Sequence, residues 1–313
     1  MTDADLDDKP LALPNVAPHP EIVRIDALAT RIETPLSEGR IVWRRWGSGP
    51  PLVLFHGGSG AWTHWIRNVE ALSQHFTVWA IDLPGMGDSS PFNAEDLRLL
   101  DGEVTDIRVP VKPEWQPPVI PMPAFARILG RTLEDLFPRE KIDLVGFSFG
   151  GMTAANVAAR IPHKIGQIVL AGSAGLVGRN PAMKPLLTWR FAAEPDELFQ
   201  IQRRNVELLM LHDPDNVDDL AVNIHILNTR RTLSRKPQRA LTTIPALETA
   251  KARVSGIWGR YDGPSGWKID EIREGFRRIN PDSRFHVAER AGHWVAYEAA
   301  DEFNHELIRI LKR

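Results

Sequence analysis

The sequence predicts an α/β protein with a mostly parallel, doubly wound sheet and a helical insertion. Three observations predict it. Short, wholly apolar runs alternate with helix-periodic stretches, as expected of strands buried on both faces under layers of helices. Glycine-rich turns follow two of those runs directly, at His56-Gly57-Gly58-Ser59-Gly60 and at Gly146-Phe147-Ser148-Phe149-Gly150-Gly151. Between two of the apolar runs, residues 177–247 show helical periodicity and no convincing strand.

Bulk properties narrow the function. A chain of 313 residues accommodates one large core with an insertion. The formal net charge of −2 supplies no attraction to nucleic acid or to an anionic membrane. With no cysteine, disulfides, thiolate catalysis and cysteine metal sites are excluded. The start, MTDADLDDKP, is acidic and lacks the basic and apolar segments of a secretory signal. No apolar run approaches a membrane span. A cytoplasmic location is the default expectation.

Taken in order, residues 1–20 are acidic and Pro-rich and read as a flexible arm. Strand-like runs follow at Ile22–Leu28, Arg40–Trp46 and Leu52–Phe55. Thr63–His75 reads as a helix and Thr77–Ile81 as a buried strand, which ends in the turn Asp82-Leu83-Pro84-Gly85-Met86-Gly87-Asp88-Ser89. Residues 91–123, rich in proline, read as a long surface excursion. Then come a helix at Ala124–Phe137, a strand at Ile142–Phe147, a helix at Thr153–Arg160 and a strand at Gly166–Ala171. The helical block at 177–247 includes amphipathic stretches at Glu197–Leu211 and Val217–Asn228 and reads as a cap inserted after the strand at 166–171. Strands return at Val254–Trp258 and Arg284–Val287, and Asp301–Leu311 closes the chain as a helix. The expected division is an arm over 1–20, a core over 21–176 and 248–313, and a cap over 177–247.

Ser148 is the expected nucleophile. A sharp strand-to-helix turn crowds the backbone, so small residues are needed two positions before and two after the serine. The turn holds the hydroxyl out at the carboxyl edge of the sheet, beside unpaired N–H groups of the new helix. A serine hydroxyl needs a base. His293, in Arg290-Ala291-Gly292-His293-Trp294, lies after the last strand and is the best placed of the ten histidines. His19, His75, His163, His212, His286 and His305 lie on helices, strands or edges without a partner pattern. Asp262 follows the strand at Val254–Trp258 and is the expected orienting carboxylate; the rival position, Gly172-Ser173-Ala174-Gly175, holds no carboxylate. Two N–H donors are needed for an oxyanion, and Phe149 and Gly58 are the expected pair. His56 is expected to tie the loop by hydrogen bonds. Gly57, Trp62 and Trp294 are the expected substrate contacts, while Trp65 and Phe147 read as core. No cofactor or metal is expected, because no histidine and carboxylate cluster has ligand spacing.

These landmarks together resemble the α/β-hydrolase superfamily over roughly residues 40–313: the His-Gly-Gly loop, the Asp82–Ser89 turn, the nucleophile elbow and the Asp262/His293 pair. The resemblance implies the α/β-hydrolase fold with a cap at 177–247. Gly292-His293-Trp294, with Glu298 and Ala300-Asp301-Glu302-Phe303-Asn304, looks like the meta-cleavage-product hydrolases, which cleave carbon–carbon bonds of vinylogous diketo acids. Met210-Leu211-His212-Asp213-Pro214-Asp215 is similar as well. That likeness implies a cap arginine for the substrate carboxylate, with Arg190, Arg203 and Arg204 open as candidates. Phe147 departs from the pattern, since those enzymes usually carry Asn there. A serine nucleophile also separates this chain from the dehalogenases and soluble epoxide hydrolases, which place Asp at that position.

The function expected from the sequence is therefore hydrolysis of a carboxylic ester or lactone of a small hydrophobic substrate through an acyl-enzyme. Carbon–carbon hydrolysis of a diketo acid is the alternative. A non-hydrolytic enzyme or a ligand-binding protein on the same fold is the alternative of another class. The expected partner is the small-molecule substrate, with a homodimer as the candidate assembly and neither nucleic acid nor membrane as a partner.

Overall fold

Most of the short apolar runs become strands of one sheet. The chain enters through α1 (Pro20–Ala27), β1 (Thr30–Leu36), β2 (Gly39–Trp46) and β3 (Pro51–Phe55). A 3₁₀ turn at Trp62–Trp65 leads to α2 (Val69–Ser73) and β4 (Thr77–Ile81). Next come α3 (Met122–Leu136), β5 (Ile142–Phe147), α4 (Phe149–Arg160) and β6 (Ile165–Ala171). Three helices follow, α5 (Pro195–Leu209), α6 (Asp219–Arg230) and α7 (Thr243–Ala250). The chain ends through β7 (Arg253–Gly259), α8 (Ile269–Ile279), β8 (Phe285–Ala288), α9 (Val295–Glu298) and α10 (Ala300–Leu311). The structure is a computed structural model and describes residues 14–36, 38–92, 122–178, 180–233 and 242–312.

The strand order is β1-β2-β4-β3-β5-β6-β7-β8. The pairs β1/β2 and β2/β4 are antiparallel and the remaining pairs are parallel. Side chains alternate between the faces, as a period of two requires. Leu52, Leu54, Val78, Ala80, Val145 and Val169 join one core with Trp65 and with Leu307 of α10. Val53, Phe55, Trp79, Ile81, Leu144 and Leu170 join the other with Leu129 of α3 and Phe276 of α8. Both faces are thus covered, which explains why the central runs are apolar throughout. Because β3 to β8 are parallel, their carboxyl ends share one edge, where ligand sites of such sheets form.

Four expectations differ from what is observed. Ile22–Leu28 is not a strand but lies largely in α1. Pro20 occupies the first turn, the His19 ring accepts the Glu21 N–H, and Ile22 and Ile25 bury one face at helical spacing. The β-branched residues misled a reading that weighted local propensity. The edge strand is β1, whose mostly exposed pattern gives little apolar signal. The single helix expected over Thr63–His75 is a 3₁₀ turn followed by the short α2. α8 carries no assignment from the sequence, although Ile269, Ile272 and Phe276 stand at i, i+3 and i+7 and are all buried.

The insertion after β6 departs from the expected helical block at its start: the described residues over 177–194 form no helix, and helices appear only from α5, which packs against α6. α7 instead lies on α4, so the helical block reaches the core layer before residue 247. Of the expected arm, residues 14–19 are tied to α6: Asn223 accepts the His19 N–H and donates to the Ala17 carbonyl, and Arg230 donates to the Pro14 carbonyl. Residues 1–13 of the arm and residues 93–121 of the Pro-rich excursion lie outside the described residues. No helix among the described residues is long and apolar enough to cross a membrane.

The turn after β4 is braced by an ion network. Arg44 on β2, only 4% exposed, pairs with Asp82 at 3.0 Å and Asp88 at 2.7 Å, and also with Asp26 of α1. Asp82 also accepts the N–H groups of Trp62 and Asp88. Burial pushes the Asp82 carboxyl up against the pull of Arg44. Removing the cation leaves a buried carboxylate uncompensated, so Arg44→Met is expected to lower unfolding free energy by about 3–5 kcal/mol. Urea unfolding followed by tryptophan fluorescence measures this; a loss below about 1 kcal/mol contradicts the network's role.

Candidate active site

β5 ends at Phe147, and α4 begins at Phe149. Ser148 between them has φ 52° and ψ −117°, a left-handed backbone that costs a non-glycine residue on the order of 1–3 kcal/mol. The turn persists because its surroundings hold it. The Ser148 N–H donates to the Ala171 carbonyl at the end of β6, and the Ser148 carbonyl accepts the Ala174 N–H. Gly150 lets α4 approach β3: a Cβ there would lie 2.2 Å from the Phe55 oxygen and 2.4 Å from the His56 oxygen. Glycine at 150 is therefore a packing requirement.

His293 follows β8 and places Nε2 at 3.0 Å from Ser148 Oγ. Its Nδ1 lies 2.7 Å from Asp262 Oδ2, in the turn after β7. In the neutral tautomer that fits both contacts, Nδ1–H donates to the carboxylate and Nε2 accepts from the hydroxyl. Asp262 is buried, and its other oxygen accepts from the Ser265 N–H at 2.8 Å and from the Ser265 hydroxyl at 2.9 Å. Trp258 Nε1 in turn donates to the Ser265 hydroxyl. Ser265 escaped the sequence reading, although a serine three residues after a turn aspartate is a recognisable capping pattern. The loop carrying His293 is anchored by Glu298. Its carboxylate accepts the N–H groups of Gly292, His212 and Asp213, and the Met210 carbonyl accepts the Trp294 N–H. The segment after α5 is thereby fastened to the base.

The oxyanion loop follows β3. His56 is wholly buried; its Nε2 accepts the Leu83 N–H at 2.9 Å, so Nδ1 bears the proton and donates to the Gly57 carbonyl at 2.7 Å. A trans peptide sets N–H opposite C=O, so the Gly58 N–H is directed away from His56. The Gly57 N–H is engaged elsewhere, donating to His64 Nδ1 at 3.1 Å. Gly58 and Phe149, the expected oxyanion donors, both line the same cavity as Ser148.

A cavity of about 410 Å³ opens over Ser148 and His293. Its lining includes Gly57, Gly58, His64, Phe147 and Phe149, together with the apolar Met152, Val177, Met183, Leu186, Leu209 and Met210. Trp62 and Trp294 are not in the described lining. Trp62 lies behind the loop, tilted against Trp46 and beneath the Arg44 guanidinium. Trp294 is buried, stacks on Tyr297 and donates to the His64 carbonyl. Phe147, read as core, is buried and still lines the cavity. Arg190, Arg203 and Arg204 are absent from the described lining, which contains no Lys or Arg. Arg203 donates to the Val217 carbonyl, and Arg204 pairs with Glu207. Among the described residues no group of three His, Asp or Glu is placed to hold a metal ion.

Comparison with known proteins agrees with the fold. Residues 50–204 match the family described as alpha/beta hydrolase fold. The chain is 27% identical to a 2-hydroxy-6-oxo-6-phenylhexa-2,4-dienoate hydrolase of Comamonas testosteroni over 301 residues, covering 90% of this chain and 94% of that protein. It is 26% identical to the enzyme of the same name from Burkholderia cepacia, covering 87% and 91%. Among solved structures, carboxylesterase CesB (YbfK) from Bacillus subtilis superposes with a TM-score of 0.70 at 16% identity, covering 93% and 95%. A meta-cleavage product hydrolase from Pseudomonas fluorescens IP01 superposes with a TM-score of 0.65 at 21% identity, covering 90% and 97%.

Burial lowers the His56 pKa from 6.5 to about 4, against the opposing hydrogen bond to Gly57. As pH falls, the unfolded chain takes up this proton first. The contribution is intact above pH 6.5 and is lost as pH falls towards about 4, amounting to about 3 kcal/mol. His56→Asn keeps a donor near Gly57 but does not titrate. Chemical denaturation at pH 7.5 and pH 4 is expected to show a loss smaller by about 3 kcal/mol in the variant than in the parent. Equal losses contradict the assignment.

Proposed function

Because the chain has the α/β-hydrolase fold and is a hydrolase, we propose that it cleaves a carbon–carbon bond of a 2-hydroxy-6-oxo-dienoate through an acyl-enzyme on Ser148. The observation that carries the reading is the likeness, over nearly the full length of both chains, to hydrolases named for that substrate class. The Ser148–His293–Asp262 hydrogen-bond chain supports it from the chemistry.

In this mechanism Ser148 Oγ attacks the 6-keto carbonyl while His293 Nε2 takes the hydroxyl proton. Asp262 holds the tautomer and stabilises the imidazolium. The Gly58 and Phe149 N–H groups receive the oxyanion. Because C5 of the 2-hydroxy dienoate belongs to a double bond, the 2-hydroxyl proton moves to C5 before attack, giving the 2,6-diketo tautomer, and collapse of the adduct then breaks the C5–C6 bond. The electron pair passes into the vinylogous keto acid as an enolate, which takes a proton from His293. Water, deprotonated by His293, then releases the acyl group as a carboxylic acid and restores Ser148. The cavity volume and apolar walls suit one small aromatic or aliphatic acyl group.

Ester or lactone hydrolysis is the second reading, favoured by two observations. The described lining offers no cation for a substrate carboxylate, and Phe147 occupies the position before the nucleophile. The two readings share the acylation step and differ in the leaving group.

The test gives 2-hydroxy-6-oxo-6-phenylhexa-2,4-dienoate, an aryl ester and a lactone to the parent and to Ser148→Ala. The dienoate is expected to be consumed with kcat/KM at least about 10²-fold above the esters, and Ser148→Ala to lose about 10³-fold or more in turnover. Rapid ester hydrolysis with the dienoate untouched moves the assignment to the second reading. Near-parental turnover by Ser148→Ala overturns the nucleophile.

A further inference from the structure

His64 stands eight residues after His56, on the 3₁₀ turn Trp62–Trp65. It is buried, yet its ring borders the same cavity as Ser148. Its Nδ1 accepts the Gly57 N–H, so a neutral ring carries its proton on Nε2. The ring is edge-on to Phe147 at 5.5 Å between centroids and to Trp294 at 5.0 Å. Its own carbonyl is fixed by Trp294 Nε1 at 2.8 Å. On the remaining side the loop folds directly over it: a Cβ on Gly60 would lie 2.4 Å from Cε1 and 2.5 Å from Nδ1. Phe147 in turn lies 4.9 Å from the His293 ring. One imidazole thus touches the oxyanion loop and the residue that separates that loop from the catalytic base.

Two adjacent peptide units need fixing if the Gly58 N–H is to meet an oxyanion. His56 fixes the 57–58 unit through its C=O, and His64 fixes the 56–57 unit through its N–H. Glycine at both 57 and 58 leaves the backbone torsions loose unless each unit is held from outside. We propose that His64 is a positioning residue for the oxyanion loop, acting on catalysis through Gly57 and the aim of the Gly58 N–H. This rests on the acyl-transfer reading of Ser148. Preorganised donors are worth most in the transition state, so the loss of His64 falls on kcat and leaves substrate binding nearly unchanged.

Two variants separate positioning from bulk. His64→Leu keeps apolar volume and removes the acceptor, whereas His64→Asn offers an amide oxygen near the Nδ1 position. Turnover of p-nitrophenyl butyrate and the affinity for phenylboronic acid, which adds to a serine hydroxyl as a tetrahedral anion, are measured with Tm for each. His64→Leu is expected to lower kcat about 10²-fold with KM within about threefold, and to weaken the boronic acid by a similar factor. His64→Asn is expected to recover activity to within about tenfold of the parent. If His64→Leu keeps parental kcat and boronic acid affinity, the proposal is wrong. It is also wrong if both variants lose activity equally and in step with Tm. If the parent itself neither turns over the ester nor binds the boronic acid, the reading of Ser148 fails first, and this proposal with it.

Discussion

The close approach of Gly150 to the carbonyl groups of Phe55 and His56 is the contact on which the site depends. It lets α4 start directly against the end of β3, with Ser148 in a left-handed turn between β5 and α4. The same contact places Ser148 beside the His56–Gly60 loop, because that loop is the continuation of β3. A side chain at position 150 would separate the two. Ser148 and the His56–Gly60 loop are thus brought together by backbone packing.

Three supports keep the loops at the sheet edge in register. The Arg44 network braces the turn after β4, and that turn reaches the oxyanion loop through Leu83 to His56 and through Asp82 to the Trp62 N–H. Ser265 and Trp258 hold the second oxygen of Asp262, so the carboxylate cannot rotate away from His293. Glu298 ties the His293 loop to the segment after α5, coupling the helical insertion to the base. The first and third supports join elements distant in sequence, whereas Ser265 and Trp258 act within β7 and the turn after it. Arg44, Asp82, Asp262 and Ser265 are buried with their polar atoms partnered, and Glu298 is half-buried. This is the arrangement that a catalytic site requires of its surroundings.

The sheet was legible because β3 to β7 are buried on both faces and therefore carry short apolar runs closed by glycine turns. Ser148 and Asp262 follow such runs and His293 follows the half-buried β8, and the structure brings the three side chains into one hydrogen-bond chain. What escaped had weaker local signals. β1 is a mostly exposed edge strand, and α1 contains three β-branched residues whose helical spacing outweighs their propensity. Trp62 and Trp294 follow the right motifs but turn into the core, a choice made by neighbours such as Trp46 and Tyr297 that no linear pattern brings together. Ser265 and His64 act through hydrogen bonds to groups already singled out, and only the folded geometry places them there. The described lining lacks the cap arginine that the family resemblance implied, so that expectation receives no support from Arg190, Arg203 or Arg204.

The chemistry converges on one oxygen atom. Ser148 Oγ lies 3.0 Å from an imidazole nitrogen in a largely apolar cavity, an arrangement that favours acylation of the serine over simple binding. Peptide-resolved mass spectrometry after reaction with a fluorophosphonate tests this most directly. A single stoichiometric adduct on Ser148 is expected, lost when His293 is replaced by Ala. Absence of an adduct, or a label on Ser173 or Ser265 in place of Ser148, would contradict it.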